Sequence, residues 1–375
     1  SDMLLALSLL ATSALASVIR DAPEPTKVVF GSTPAPSVDA GYCQCNWDTI
    51  WLDIVALIDT SATMGDGKNF ALATVQSTLY QLTYQPTDSG LFYSRAAIAS
   101  FADRFDLAAD FNQITTKDSI FDADLKEFDG DVVNITLAFS EAEQLFIRNR
   151  DPKRAKVREV VLLVASAFAD GNYKVAEQFK SDGGTVIVID YIQEGTVPLE
   201  SLRKLASPGY YFTNDGANME TLVPALCDVN CFCHQDLVGY DDNDNARIVP
   251  TGGCYQPSTS ASIQPAGASA CKKNGGYLAT VHDANKDFFL QGQFPPKTPF
   301  FIGYQRKNGI WTWADNSTSP YVNDRFDAGA TGDCVTSQQY SGFSSIWDTV
   351  SCTSSAAYYV CQMRPCDSTS ATCLA

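Results

Sequence analysis

Asp59, Ser61 and Thr63 set one carboxylate and two hydroxyls at alternate positions of Asp59-Thr60-Ser61-Ala62-Thr63, a donor set made of oxygen alone. Such donors suit a hard cation, magnesium or calcium, over softer metals. The same hydroxyls also shape strand-to-helix turns and cap helices, so the spacing by itself leaves both roles open. The elements that must position the triplet lie on either side of it. Ile54 to Ile58 is an uninterrupted apolar run, the pattern of a strand covered on both faces. Gly65 and Gly67 follow the loop, and Asn69 to Leu82 reads as a helix returning across the sheet.

The surrounding chain repeats this alternation. Trp51 to Ile58, Ala96 to Phe101, Glu159 to Val164 and Thr185 to Ile189 read as strands; Asn69 to Leu82, Thr136 to Ile147, Tyr173 to Ser181 and Pro198 to Leu205 read as helices. Strand and helix in alternation predict an α/β doubly wound parallel sheet with helices on both faces. Ligands of such sheets collect at the carboxyl ends of the strands, where Asp59 falls. No Gly-x-Gly-x-x-Gly follows any of these strands, which argues against a dinucleotide site.

Asp59 to Thr63 resembles the Asp-x-Ser-x-Ser signature of von Willebrand factor A domains, with Thr63 in place of the last Ser. Val160 to Val164, Lys180 to Ile189 and Ile98 to Phe101 follow in that family's order. The resemblance implies a metal-ion-dependent adhesion site that grips an acidic group on a partner. Two departures leave it incomplete. Val133, in Gly130 to Ile135, stands where a second loop supplies a metal-contacting Thr, and Ala165-Ser166-Ala167 follows the fourth strand where Asp-Gly is usual. Asp170-Gly171 comes several residues late, which leaves open whether Asp170 reaches back. The ends of an A domain lie near one another, so Cys43 and Cys45 are expected to bridge to two of Cys227, Cys231 and Cys233.

The chain of 375 residues has room for two domains. A formal charge of -17 without any Lys/Arg cluster makes nucleic acid and anionic membrane poor partners, and none is expected. Met3 to Ala16 reads as a secretory signal peptide ending in an Ala-x-Ala cleavage pattern, and is shorter than the roughly 20 residues of a membrane span. No membrane insertion is expected, and the protein is expected to be secreted and extracellular. Twelve cysteines in such a chain point to disulfides. Zinc is the competing explanation for Cys43-x-Cys45 and Cys231-x-Cys233, but one-residue spacing is unlike a zinc knuckle. Asn134-Ile-Thr136 and Asn316-Ser-Thr318 are glycosylation sequons. Ser17 to Gly41, rich in Pro, Ser and Thr, reads as an extended linker.

After Cys233 the composition changes to short aromatic runs separated by Gly, Ser, Thr and Asn, and a new domain begins. Cys271 to Val281, Phe300-Phe301-Ile302-Gly303-Tyr304, Trp311-Thr312-Trp313, Gly332 to Val335, Ile346 to Cys352 and Tyr358 to Cys361 resemble, in order, the motifs of a C-type lectin-like domain. The resemblance implies a disulfide-bonded α+β fold with bridges Cys271 to Cys361, Cys334 to Cys352 and Cys233 to Cys254, leaving Cys366 to pair with Cys373. In sugar-binding members calcium is held by a Glu-Pro-Asn or Gln-Pro-Asp tripeptide and by Trp-Asn-Asp. Here Tyr321 to Asp333 has no Pro, and Asp348 and Thr349 follow Trp347. Calcium or magnesium is thus the implied cofactor at both places, and both sites are incomplete. Asn323, Asp324, Asp327, Asp333 and Asp348 are candidates for a different site, and Trp347 for stacking on a sugar face, with Trp311 and Trp313 read as core.

The expected organisation is a signal peptide over 1–16, a linker over 17–42, the A-like domain over 43–230, the lectin-like domain over 231–366 and a disulfide tail over 367–373. The two-domain order is similar to secreted lectin-like proteins of nematodes, which implies recognition of an extracellular glycan or protein, in settings that include innate defence. The only histidines, His234 and His282, lie near no nucleophile motif, and no acid/base pair, phosphate loop or zinc-hydrolase spacing is present, so no catalysis is expected. The alternative is an adhesive or structural matrix protein with no sugar or calcium binding.

Overall fold

The first apolar run becomes β1 (Leu52–Asp59), buried along its whole length. Its alternate side chains feed two cores: Leu52, Ile54, Ala56 and Ile58 pack on one face, Val55 and Leu57 on the other. The computed structural model describes residues 42–369, apart from 85–91, 235, 243–246, 318, 327, 329–330 and 343. The expected signal peptide, the linker up to residue 41, Asp327 and Cys373 lie outside the described residues.

From β1 the chain runs through α1 (Gly67–Leu79), β2 (Arg95–Phe101), β3 (Phe105–Ala109), α2 (Ile135–Arg148), β4 (Arg158–Ala165), α3 (Lys174–Ser181), β5 (Thr185–Asp190), α4 (Glu200–Leu205), β6 (Tyr211–Thr213) and α5 (Met219–Asn230). The strands form one sheet in the order β3-β2-β1-β4-β5-β6. Neighbours are parallel except β3, which is antiparallel to β2. The link from Phe101 to Phe105 is too short for a crossover, so the expected all-parallel sheet gains an antiparallel edge hairpin. Helices α1 and α5 cover one face, and α2, α3 and α4 the other.

The second domain comprises β7 (Val238–Gly239), β8 (Cys254–Pro257), β9 (Ser262–Ile263), α6 (Gln264–Lys273), β10 (Tyr277–Leu278), α7 (Ala284–Gln291), β11 (Phe300–Lys307), β12 (Ile310–Trp313), β13 (Cys334–Ser341), β14 (Ser344–Val350) and β15 (Ala356–Met363). β15 is the hub of its sheets, pairing with β8, β9, β10 and β11. Tyr255, Phe300, Ile302, Trp313, Trp347 and Val360 are among the residues of its core. Cys271–Cys361 ties α6 to β15, Cys334–Cys352 closes the base of the β13–β14 hairpin, and Cys233–Cys254 anchors the start of the domain. Cys366 is also disulfide-bonded.

Both domains meet at a neck. Cys43–Cys231 and Cys45–Cys227 clamp the entry of the first domain to the end of α5. The tail leaving the second domain returns here: Phe232 and Cys366 exchange backbone hydrogen bonds of 3.0 and 2.9 Å. The Asn46 N–H donates to Ser368 Oγ at 2.8 Å, and Ser368 Oγ donates to the Gln44 carbonyl at 2.7 Å. Trp51, fully buried at the start of β1, donates its indole N–H to the Asp367 carbonyl at 3.0 Å and meets the Phe232 ring edge-on. Asp228 of α5 pairs with Arg247 of the second domain. Three loop-closing cross-links and shared polar contacts thus hold the residues around Phe232 in one arrangement.

Candidate functional site

At the carboxyl edge of the first sheet, Asp59 ends β1 beside the end of β4, because Ile58 pairs with Val164. Its carboxylate is fully buried and already occupied. Oδ1 accepts the Ser61 N–H at 2.9 Å, and Oδ2 accepts both the N–H and the hydroxyl of Ser166, at 3.1 and 2.8 Å. Ser61 Oγ and Thr63 Oγ1 hydrogen-bond each other at 2.6 Å. The loop after β5 lies over this edge: a Cβ on Gly67 would meet the Tyr191 ring at 2.4 Å, and Gln193 donates to the Thr63 carbonyl. Val133 is buried in the core beneath. Asp170 is turned away to the start of α2, where it accepts the Thr136 N–H at 2.8 Å and the Thr136 hydroxyl. The structure thus brings Asp59, Ser61 and Thr63 together, with Ser166 as the fourth member in place of a second carboxylate. A single carboxylate that already accepts from Ser61 and twice from Ser166, with no second carboxylate beside it, is a poor fit for a divalent ion, which takes several open oxygen ligands.

In the second domain the candidates fall on the segment 315–333 and on the β13–β14 hairpin. Trp347 is 1% exposed and meets Trp313, Tyr304, Tyr321 and Phe326. Surrounded by four rings, it has no open face for the sugar stacking expected of it. Asn323 needs the same correction. It is 6% exposed, its amide donates to Asp287 Oδ2 at 3.3 Å and to Ser345 Oγ at 2.5 Å, and its carbonyl accepts the Arg325 N–H at 2.9 Å. No donor is left for a ligand. Asp348 accepts from Gln338 at 3.1 Å, and Asp333 pairs with Arg306 at 2.7 Å. Asp324 is exposed. Among the described residues no group of three or more His, Cys, Asp or Glu is placed to hold a metal.

Two features were not foreseen. Asp287 of α7, 1% exposed, accepts hydrogen bonds from Ser337, Ser345, Asn323 and Trp347. Burial first, then the charges of Asp287, Asp283 and Asp324, push the nearby Tyr321 phenol up to about 12. On the outer surface, the Arg325 guanidinium lies 4.3 Å over the ring of Tyr340, which is 55% exposed at the end of β13. The only sequence signal for the first was a charged residue inside Asp287-Phe288-Phe289-Leu290; the second joins residues fifteen apart and left none.

Elsewhere, two cavities of about 480 and 700 Å3 open at the neck and share Arg158, Phe232, Cys233 and His234. Glu143 and Glu159 line the larger, both held above the usual carboxylate range by burial and neighbouring acids. His282 packs edge-on to Trp313. Asn134 caps α2 by accepting the Leu137 N–H at 2.9 Å, and Asn316 is exposed with a positive φ of 61°. Among the described residues no helix is long and apolar enough to cross a membrane.

The von Willebrand factor type A domain family model matches residues 53–225, and that of the lectin C-type domain matches residues 261–363. A curated relative, C-type lectin domain-containing protein 160 of Caenorhabditis elegans, is 24% identical over 375 residues, covering 89% of this chain and 56% of its own length. The chain thus spans a little over half of that relative. Among solved structures, a calcium-independent type II antifreeze protein aligns with 15% identity and TM-score 0.30, over 36% of this chain and 96% of that one. The lectin domain of murine dendritic cell inhibitory receptor 2, solved with an N-glycan, aligns with 18% identity and TM-score 0.28, over 35% and 98%.

Proposed function

We propose, for a chain that carries a von Willebrand factor type A domain followed by a C-type lectin domain, a non-catalytic role in recognising extracellular glycan or protein surfaces. Domains of both types are typically binding modules. The observation that carries the reading is the exposed Arg325–Tyr340 stack beside the ordered 321–326 segment. A guanidinium laid on an aromatic ring offers planar donors next to an apolar face, which suits a sugar ring or a protein epitope without any ion. Val322, 42% exposed, and Asp324 adjoin it. Secretion accords with the disulfide content, and a part in innate defence is the setting in which such recognition would serve.

A glycan array and a panel of extracellular proteins, probed with the full chain with and without a chelator, test this. Binding that survives chelation and falls at least about tenfold in Tyr340→Ala, the scale of one well-placed aromatic contact, is expected. Protein binding without any sugar binding would favour the adhesive or matrix role. Turnover of a substrate, lost on replacing one Ser or Asp, would contradict the non-catalytic reading.

A further inference from the structure

Four donors from three separate segments converge on one carboxylate inside the second domain. Ser337 of β13 donates to Asp287 Oδ1 at 3.0 Å. Ser345 and Trp347 of β14 donate to Oδ2 at 2.5 and 2.9 Å, and Asn323 adds a third bond to that oxygen at 3.3 Å. All five side chains are buried. Asn323 matters most, because it alone belongs to the irregular segment between β12 and β13. Its two amide protons go to Asp287 and Ser345, and its carbonyl holds the Arg325 N–H. The polar hold on residues 321–326 therefore runs through one amide to one carboxylate, beside the ring contacts that Tyr321 and Phe326 make with Trp347. No cation is needed in that chain of contacts, and three of the described acids are placed elsewhere: Asp348 accepts from Gln338, Asp333 pairs with Arg306 and Asp324 is exposed.

We propose that Asp287 is the positioning residue of the recognition face: it fixes the 321–326 segment against the β13–β14 hairpin, so that the Arg325–Tyr340 surface is preorganised without divalent metal. This deepens the reading above and rests on it only for the use made of that surface. Hydrogen bonds to a buried ionised group are stronger than neutral ones, and removing the acceptor leaves buried donors unpaired. Asp287→Asn keeps one acceptor oxygen but turns an NH2 group toward donors. The middle of the segment then loses its polar tie and opens more often, while the ring contacts at its ends and the disulfides still hold the domain.

Tryptic cleavage after Arg325 in the native full chain reads this directly, since cleavage follows the population of the locally opened segment. Wild type is expected to resist cleavage equally in calcium and in chelator. Asp287→Asn and Asn323→Ala are each expected to be cut about tenfold faster or more. Ser337→Ala, which removes a donor from β13 without touching the segment, is expected to be cut near the wild-type rate although its melting temperature falls. That split separates positioning from general destabilisation. Asn323→Ala cut at the wild-type rate, or wild-type protection that appears only with calcium, would overturn the proposal. No ligand enters the assay, so absence of glycan or protein binding leaves its outcome intact.

Discussion

Replacing Asp53 with Ala lowers the stability of the first domain by about 3–5 kcal/mol, the cost of removing one partner from a buried ion pair. Asp53 lies at the start of β1 and is 5% exposed. Its Oδ1 accepts from Arg154 Nη2 at 2.7 Å and from Arg95 Nε at 3.0 Å, and its Oδ2 accepts from Arg95 Nη2. The Arg154 guanidinium also donates to the Tyr93 carbonyl at 3.1 Å and lies 4.3 Å over the Tyr93 ring. Without the carboxylate two guanidinium groups lose the one acid that both touch, and Arg95 keeps only the longer-range charges of Asp151 and Glu159. The urea midpoint of the full chain, followed by far-ultraviolet circular dichroism, is expected to fall with a second, unchanged transition from the lectin domain. Asp53→Asn combined with Arg154→Met is expected to cost less than the two single changes added together, because contacting charges couple. Additive effects would show that the pair is not the source of the cost.

Trp51→Ala is expected to cost about 3–5 kcal/mol, the usual range for truncating a buried large aromatic. The consequence is not confined to the first domain. The Trp51 indole is the contact through which β1 touches the tail after β15, by its bond to Asp367 and its edge-on packing against Phe232. Its loss opens a void beneath the Phe232–Cys366 bridge. Amide exchange at Phe232 and Cys366, which bond each other, is expected to accelerate sharply in Trp51→Ala. In Trp51→Phe, which loses the indole donor but keeps a ring, a cost of about 1 kcal/mol is expected. Unchanged exchange at both amides would show that the neck is held by its disulfides alone.

The parallel sheet was legible because β1, β4 and β5 are apolar on both faces, and only a central strand needs that. Helix α5 is not legible in the sequence, because Pro224 signals a break; in the fold that residue lies inside the helix, whose start is held by a capping box of Asn218 and Thr221. Helix α6 was hidden by small residues, which are there because Gly267 lets the Tyr359 ring approach: an added Cβ would lie 2.9 Å from it. At the first site, the missing Asp after β4 was visible in the chain. That Ser166 takes over the contact to Asp59 required the strand register. In the second domain the acids of the 321–333 segment were visible, but burial decides their use. Trp347 and Asn323 face inward to Asp287 while Arg325 and Tyr340 face out, and a segment without periodicity carries no signal for that.

The function proposed above needs both domains to present formed surfaces whose polar groups are held by one another and not by a cation. Calorimetric titration of the full chain with calcium and with magnesium tests it most directly. Up to about 1 mM, the weak end of the range over which extracellular calcium modules bind, no saturable heat and no shift in melting temperature are expected. Stoichiometric uptake of either ion at micromolar affinity, abolished by Asp59→Ala or Asp348→Ala, would contradict it.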